Sequence, residues 1–222
     1  MLIDYSVVRS SRANIVITVE RDGEVVVNAP EALDSTEIEK QVWKKRLWIW
    51  EKLAIKKNYV DDEVCKKFVS GESFLYLGRN YRLELLEEDL FLKLKHGWFR
   101  LGKKQQGKAK ESFKQWYIEH LKSKIMERLD LISRKRNVNI PEFRIMDLGY
   151  RWGSCTKEGY LNFNWKIAMA PVSVIDYIIA HELSHLKEPT HNEMFWKEVQ
   201  RLMPEYKQKK IWLKDNGCTL SL

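Results

Sequence analysis

The sequence predicts an α+β fold. It has a β-rich N-terminal region with one helix, then a long amphipathic helix, then a mainly helical C-terminal core. Two observations carry this. Two-residue apolar alternation clusters before residue 105 and returns at 160–167, and helical spacing of apolar residues dominates 108–133 and the stretch after 171. On this reading residues 1–105 form the N-terminal region and residues 106–222 the core, packed together as one compact unit.

Taken in order, Ile15-Val16-Ile17-Thr18-Val19 is strand-forming, Asp22-Gly23 carries hairpin-turn chemistry, and Glu24 to Val27 is the returning strand. Ser35 to Ala54 is a helix capped by Asp34 or Ser35, with Val42, Trp43, Leu47, Trp50 and Leu53 recurring along it. Ser73 to Leu101 is β-rich, broken at Gly78-Arg79-Asn80 and near Gly97. Lys108 to Ser133 is the long helix, with Phe113, Trp116, Tyr117, Leu121, Ile125 and Leu129 as its apolar stripe. Pro141 to Leu148 is a strand. Tyr160 to Ile167 alternates over its whole length, so Leu161, Phe163, Trp165 and Ile167 face one way and Asn162, Asn164 and Lys166 the other. Pro171 suits the first turn of a helix reaching about Leu186.

The 222 residues are 44% hydrophobic and 32% charged, which excludes collagen-like, mucin-like and disordered chains. No apolar run approaches the roughly 18–20 residues of a membrane-spanning helix. The start of the chain lacks a basic segment followed by an apolar block, so no secretory signal is expected. Cys65, Cys155 and Cys218 lie far apart, as free thiols in a reducing compartment do, and a cytoplasmic location is expected. The formal net charge is +8, and Lys103 to Arg136 holds 11 basic against 4 acidic residues. Such a segment is a solvated helix face or a nucleic-acid contact.

The chemistry concentrates in His181-Glu182-Leu183-Ser184-His185. Residues four apart lie one turn apart on one helix face, so His181 and His185 can hold one ion. Glu182 is turned about 100° from His181 and about 60° from His185, and so flanks the ion without binding it. A base acting on water belongs there. Random placement of the 5 histidines among these residues gives about 0.01 expected occurrences of this pattern. His191 follows ten residues after His181. Pro189 stops the first helix, and Thr190-His191-Asn192-Glu193 reads as a capping box, which sets His191 at the first position of the next helix. Three histidine ligands leave a fourth position for water, as in catalytic zinc sites. Arg151 is a candidate for holding a substrate carbonyl or carboxylate. Tyr206 is a weaker candidate for stabilising an oxyanion, and Cys155 for a fourth ligand. Lys207, Lys209 and Lys210 read as a solvated helix face, and His96 and His120 have no matching spacing.

These segments together resemble the YgjP-like metallopeptidases. The resemblance rests on Arg151-Trp152-Gly153-Ser154-Cys155, the strand Leu161 to Trp165, Val174-Ile175-Asp176-Tyr177, His181 to Leu186, His191, Phe195-Trp196, Leu202 to Tyr206, and Trp212-Leu213. It is dense from Arg144 to Gly217. It implies a zincin-like, gluzincin-type catalytic core related to the SprT-like and WLM proteases, with one zinc ion on His181, His185 and His191 and Glu182 catalytic. The third ligand departs from the glutamate of typical gluzincins. Metzincin membership is disfavoured, because no glycine occurs in Leu-Lys-Glu-Pro-Thr at positions 186–190.

The expectation is therefore a zinc metallopeptidase acting on a peptide or protein, with the Tyr160–Ile167 segment pairing with an extended peptide. The alternatives are a nucleic-acid-associated protease using Lys103 to Arg136, and a metal-bound but inactive interaction module. Oligomeric state is not legible.

Overall fold

The computed structural model describes residues 3–11, 13–19, 24–50, 52–53, 66–88, 90–136, 139–149 and 151–222. The chain is a mixed α/β protein in two units, Met1–Val64 and Cys65–Leu222. Each has its own buried apolar cluster.

In the first unit, β3 (Val25–Pro30) lies between β1 (Ser6–Ser10), to which it is parallel, and β2 (Val16–Val19), to which it is antiparallel. Alternation along β3 buries Val25, Val27 and Ala29, which cluster with Ile38 and Val42 of helix α1 (Ser35–Lys44). The expected turn at Asp22-Gly23 lies outside the described residues. The helix predicted to run to Ala54 is interrupted at Lys45: α1 closes at Lys44 and helical residues follow at 46–50 and 52–53, while Ala54 lies outside the described residues. Ile38, Val42 and Ile49, at i, i+4 and i+11, keep one buried face across the interruption, while Trp43 and Leu47 of the expected stripe are exposed.

The second unit opens with the sheet β4 (Ser73–Tyr76), β5 (Arg79–Leu86), β6 (Lys93–Lys95) and β7 (Trp98–Gly102), in the order β4-β5-β7-β6. Positive φ at both Leu77-Gly78 and His96-Gly97 makes the two tight turns. A 3₁₀ turn leads into α2 (Ala109–Arg136), whose Phe113, Trp116, Tyr117, Leu121, Ile125 and Leu129 are buried. Phe74 of β4 stacks on Phe113 with centroids 4.2 Å apart, and the Tyr117 hydroxyl donates to the Leu75 carbonyl at 2.6 Å. This shared core is why the unit boundary falls at Val64/Cys65, and not between 105 and 106.

A three-stranded sheet follows. β10 (Leu161–Asn164) lies between β8 (Phe143–Met146), parallel to it, and β9 (Gly153–Cys155), antiparallel to it. The strand expected over eight residues stops halfway, because Asn164 turns inward. Its Nδ2 donates to the Gly149 and Arg151 carbonyls, and its Oδ1 accepts from the Lys166 amide, capping the 3₁₀ turn Trp165–Met169. Asn164 is therefore fully buried.

Helices α3 (Val172–Ser184), α4 (Glu193–Leu202) and α5 (Tyr206–Asn216) complete the unit. The β4–β5 turn fixes the start of α3. Leu77 and Gly78 donate backbone hydrogen bonds to Ala168 and Met169, and a Cβ at Gly78 would meet Pro171 Cα at 2.9 Å. Arg128 of α2 holds Asp176 of α3 through two hydrogen bonds, at 2.6 and 2.7 Å. Among the described residues no helix is long and apolar enough to cross a membrane.

Candidate metal centre

Helix α3 is buried along most of its surface. Val174, Ile175, Ile178, Ile179 and Leu183 lie in the core, and this fixes which way the remaining residues point. His181 and His185 emerge together at the core edge, with ring centroids 5.0 Å apart. His191 returns to them, 5.0 Å from His181 and 4.7 Å from His185. One nitrogen from each ring lies within 4.8 Å of the other two. No cysteine or carboxylate joins this group among the described residues. His96 sits in the β6–β7 turn, and His120 stacks on Trp116 at 3.7 Å, with its Nδ1 2.8 Å from the Trp116 carbonyl.

The return of His191 has a different cause from the one its sequence suggests. Asn192, not Thr190, is the N-cap of α4, and its Oδ1 accepts from the Phe195 amide at 2.9 Å. His191 thus precedes the cap and is not the first helical residue. The Asn192 Nδ2 also donates to Glu188 Oε2 and Thr190 Oγ1, at 3.1 and 3.3 Å. One amide side chain therefore both caps the helix and cinches the connection carrying His191. Phe195, fully buried, lies against all three rings, with centroids 4.9, 4.5 and 4.7 Å away.

The electronic state of these rings suits an ion. Burial first, then the neighbouring His185, His191 and Lys210, push His181 down to about 3. Burial, with His185 and Lys210 behind it, also lowers His191. Neutral imidazole is the form that binds metal. The Nδ1 of His185 lies 3.2 Å from the Glu188 carbonyl, and donating there leaves its Nε2 as a free lone pair. The Nε2 atoms of His181 and His191 face each other at 3.0 Å. Nitrogens held neutral and aimed at one another fit a shared divalent ion. Three imidazole donors leave room for a fourth ligand.

Glu182 lies beside this group and is 5% exposed. Burial pushes its carboxyl up to about 8, while Arg151 pulls the other way. Strand β9 passes so close that a Cβ at Gly153 would stand 2.5 Å from Glu182 Oε1. Arg151, exposed, lines the same cleft of about 680 Å³ as Glu182 and the three histidines. Residues of β9 form one wall, and Tyr177, Ile178, Leu186 and Leu213 contribute apolar surface. Cys155 also lines it, its thiol raised by burial and by Glu182. Tyr206 is buried and stacks on Trp196 at 5.5 Å.

A family model described as YgjP-like, metallopeptidase domain, matches residues 13–216. The chain belongs to the YgjP-like family. None of the curated proteins compared with it matches. Among solved structures it is similar to the crystal structure of the metallopeptidase zymogen of Pyrococcus abyssi abylysin, at 23% identity over 41% of this chain and 93% of that one, with a TM-score of 0.37. Membership makes this a metallopeptidase-family protein, and the histidine group is where its YgjP-like domain can hold a metal ion.

Sequence reasoning brought out the three histidines, Glu182 and Arg151, and the fold gathers all five around one cleft. It missed Gly153, Phe195, Trp196 and Lys210 as parts of the site. Lys210, expected on a solvated helix face, is exposed there, and its Nζ also lies 4.0 Å from the Trp196 ring centroid, with its charge reaching His181 and His191. The adjacent aromatic pair Phe195-Trp196, one turn after the third histidine, was the available signal.

Proposed function

We propose that this YgjP-like protein is a zinc-dependent peptidase with a zincin-like, gluzincin-type core. His181, His185 and His191 hold the ion and Glu182 is the general base. The observation that carries this is the convergence of three imidazoles, one nitrogen of each within 4.8 Å of the other two, beside a buried carboxyl in an open cleft. A zinc ion held there supplies a Lewis acid and lowers the pKa of water toward about 7.

The chain's own residues do the rest. With a divalent ion beside it to favour the charged form against burial, the Glu182 carboxylate would take a proton from the attacking water and deliver it to the leaving amine. Gly153 lets the β9 backbone close over that carboxyl, keeping bulk water from it. Arg151 holds a carbonyl or carboxylate of the substrate at the cleft mouth. Strand β10 is paired on both sides, which leaves the peptide the edge of its neighbour β9. Among the described residues β9 pairs with β10 alone and lines the cleft, so an extended peptide adds to its other edge.

The test is Glu182→Gln. It should keep the ion and lose turnover on casein or peptides by about 10²-fold or more. Turnover equal to wild type removes the base assignment. Hydrolysis absent from zinc-loaded wild type as well would leave the inactive interaction module. Metal content of untagged protein against His185→Ala tests the ligand set, since imidazoles also accept cobalt, nickel or iron.

No specific observation favours the nucleic-acid reading. Within Lys103 to Arg136, Lys103, Lys114, Lys124, Arg128 and Arg134 all pair with carboxylates. A gel shift at low salt tests it, because phosphate contacts weaken steeply with salt.

A further inference from the structure

The three histidines are not held equally. His181 lies within helix α3, and His185 is the residue that ends it, with its ring anchored to the Glu188 carbonyl. His191 stands on an interhelical connection, is exposed, and has one ring nitrogen facing His181. A ring on a connection is free to turn about its side-chain bonds unless something packs against its face.

Phe195 crosses the His191 ring at 76°, and the ring that lies along it is Trp196. The two rings are near-parallel, 29° apart in plane, with centroids 5.9 Å apart. Trp196 is in turn fixed from helix α5. Tyr206 stacks on it at 19° and 5.5 Å, and Lys210, one turn further along, places its ammonium 4.0 Å from the ring centroid. The order from α5 inward is thus Tyr206 and Lys210, then Trp196, then His191. Helix α5 supplies no ligand, yet it holds the surface against which the least anchored ligand rests.

We infer that Trp196, clamped by Tyr206 and Lys210, is a positioning residue for the His191 ring, so that helix α5 sets the metal affinity and geometry of the centre. This rests on the metal-site reading above. It makes a statement about charge that runs against simple electrostatics. Lys210 places a positive charge beside the ring that packs on His191, next to a site for a cation. Removing it would strengthen ion binding if its charge were all that mattered. If its part is to hold Trp196 flat, removing it weakens binding.

The experiment uses the full chain. Zinc affinity is measured by competition with a chromophoric chelator, and ligand geometry by the visible absorption of the cobalt form. Trp196→Leu should bind zinc at least about tenfold more weakly and shift the cobalt bands. Trp196→Phe, which keeps an aromatic face, should recover most of the affinity. Lys210→Ala should weaken binding, and Lys210→Arg, which still stacks on an indole, should restore it. Wild-type affinity and spectrum in Trp196→Leu overturn the proposal, as does equal or tighter binding in Lys210→Ala. Should Trp196→Leu not fold, the exposed Lys210 pair decides alone. Wild-type protein that binds neither zinc nor cobalt overturns the metal-site reading itself. That result differs from one in which wild type binds and the variants bind equally well.

Discussion

Glycine at 153 is required by its neighbour and not by its own backbone. Any side chain there would enter the space of Glu182, its Cβ 2.5 Å from Oε1 and 2.7 Å from Cγ. Either the strand retreats or the carboxyl swings, and a misplacement of about 1 Å costs about 10²-fold in rate. Gly153→Ala should therefore lower kcat by about that factor while metal content stays at the wild-type level. Turnover and zinc measured on the same preparation check it, and unchanged turnover would separate Gly153 from the seating of Glu182. The loss differs in kind from that of Glu182→Gln. The base remains present but sits in the wrong place.

Between elements, the connection from α3 to α4 carries the third histidine, and two side chains hold it. Asn192→Ala removes the cap of α4 and should cost about 1 kcal/mol of stability, read as a lower denaturant midpoint. The second tie is Glu198 of α4, which accepts from Arg201 and from Lys187, the latter at 2.9 Å across the connection. Hydrogen bonding to Arg201 first, and to Lys187 behind it, hold Glu198 near 2 against a usual value of 4.5. A depressed carboxyl stabilises the fold fully above its unfolded pKa, and the contribution disappears as pH falls through the folded one. Glu198→Gln should thus melt below wild type at pH 6, with the gap closing between about pH 4.5 and 2. A constant gap across that window would count against the tie. These contacts also mark where the sequence was legible and where it was not. The spacing of His181 and His185 states one helix face with Glu182 beside it, because helical periodicity is local. The end of β10 was hidden because alternation continues through Trp165 and Ile167, which are buried in a 3₁₀ turn as they would be in a strand. Only the bonds from Asn164 to Gly149 and Arg151 distinguish the two, and they span 15 and 13 residues. Thr190 to Glu193 has the T-x-x-E pattern of a capping box, and only the bond from the Phe195 amide to the Asn192 Oδ1 shows that the helix starts two residues later. Trp196 and Lys210 act through packing between helices, which no periodicity encodes.

At the scale of the whole molecule, the candidate ligands all belong to the unit Cys65–Leu222, and they hang on two supports, His181 and His185 on α3 and His191 on the connection after it. His181 is carried by α3, which the Arg128–Asp176 pair fastens to α2 and the Gly78 turn fastens to the β4–β7 sheet. His191 is carried by the connection that Asn192 closes, and its ring rests on Trp196. An ion joining them cross-links α3, the connection and, through Trp196, α5. Unfolding this unit scatters the ligands, so the ion binds the native state and not the unfolded one. Its contribution is RT ln(1 + [L]/Kd), about 2.7 kcal/mol at a free concentration one-hundredfold above Kd. For a domain of this size each kcal/mol moves the melting midpoint by roughly 2–4 °C. Removing the ion with a chelator should therefore lower the Tm of this unit by roughly 5–10 °C, and excess zinc should restore it. His181→Ala should start from the lowered Tm and respond to neither treatment. The decisive comparison is hydrogen exchange with and without chelator. Amides of α4 and of the 185–192 connection should lose protection first, since His191 is the ligand whose support depends most on the ion. Loss spread evenly from α2 to α5 would mean that the ion stabilises the core as a block, and that the connection is rigid without it.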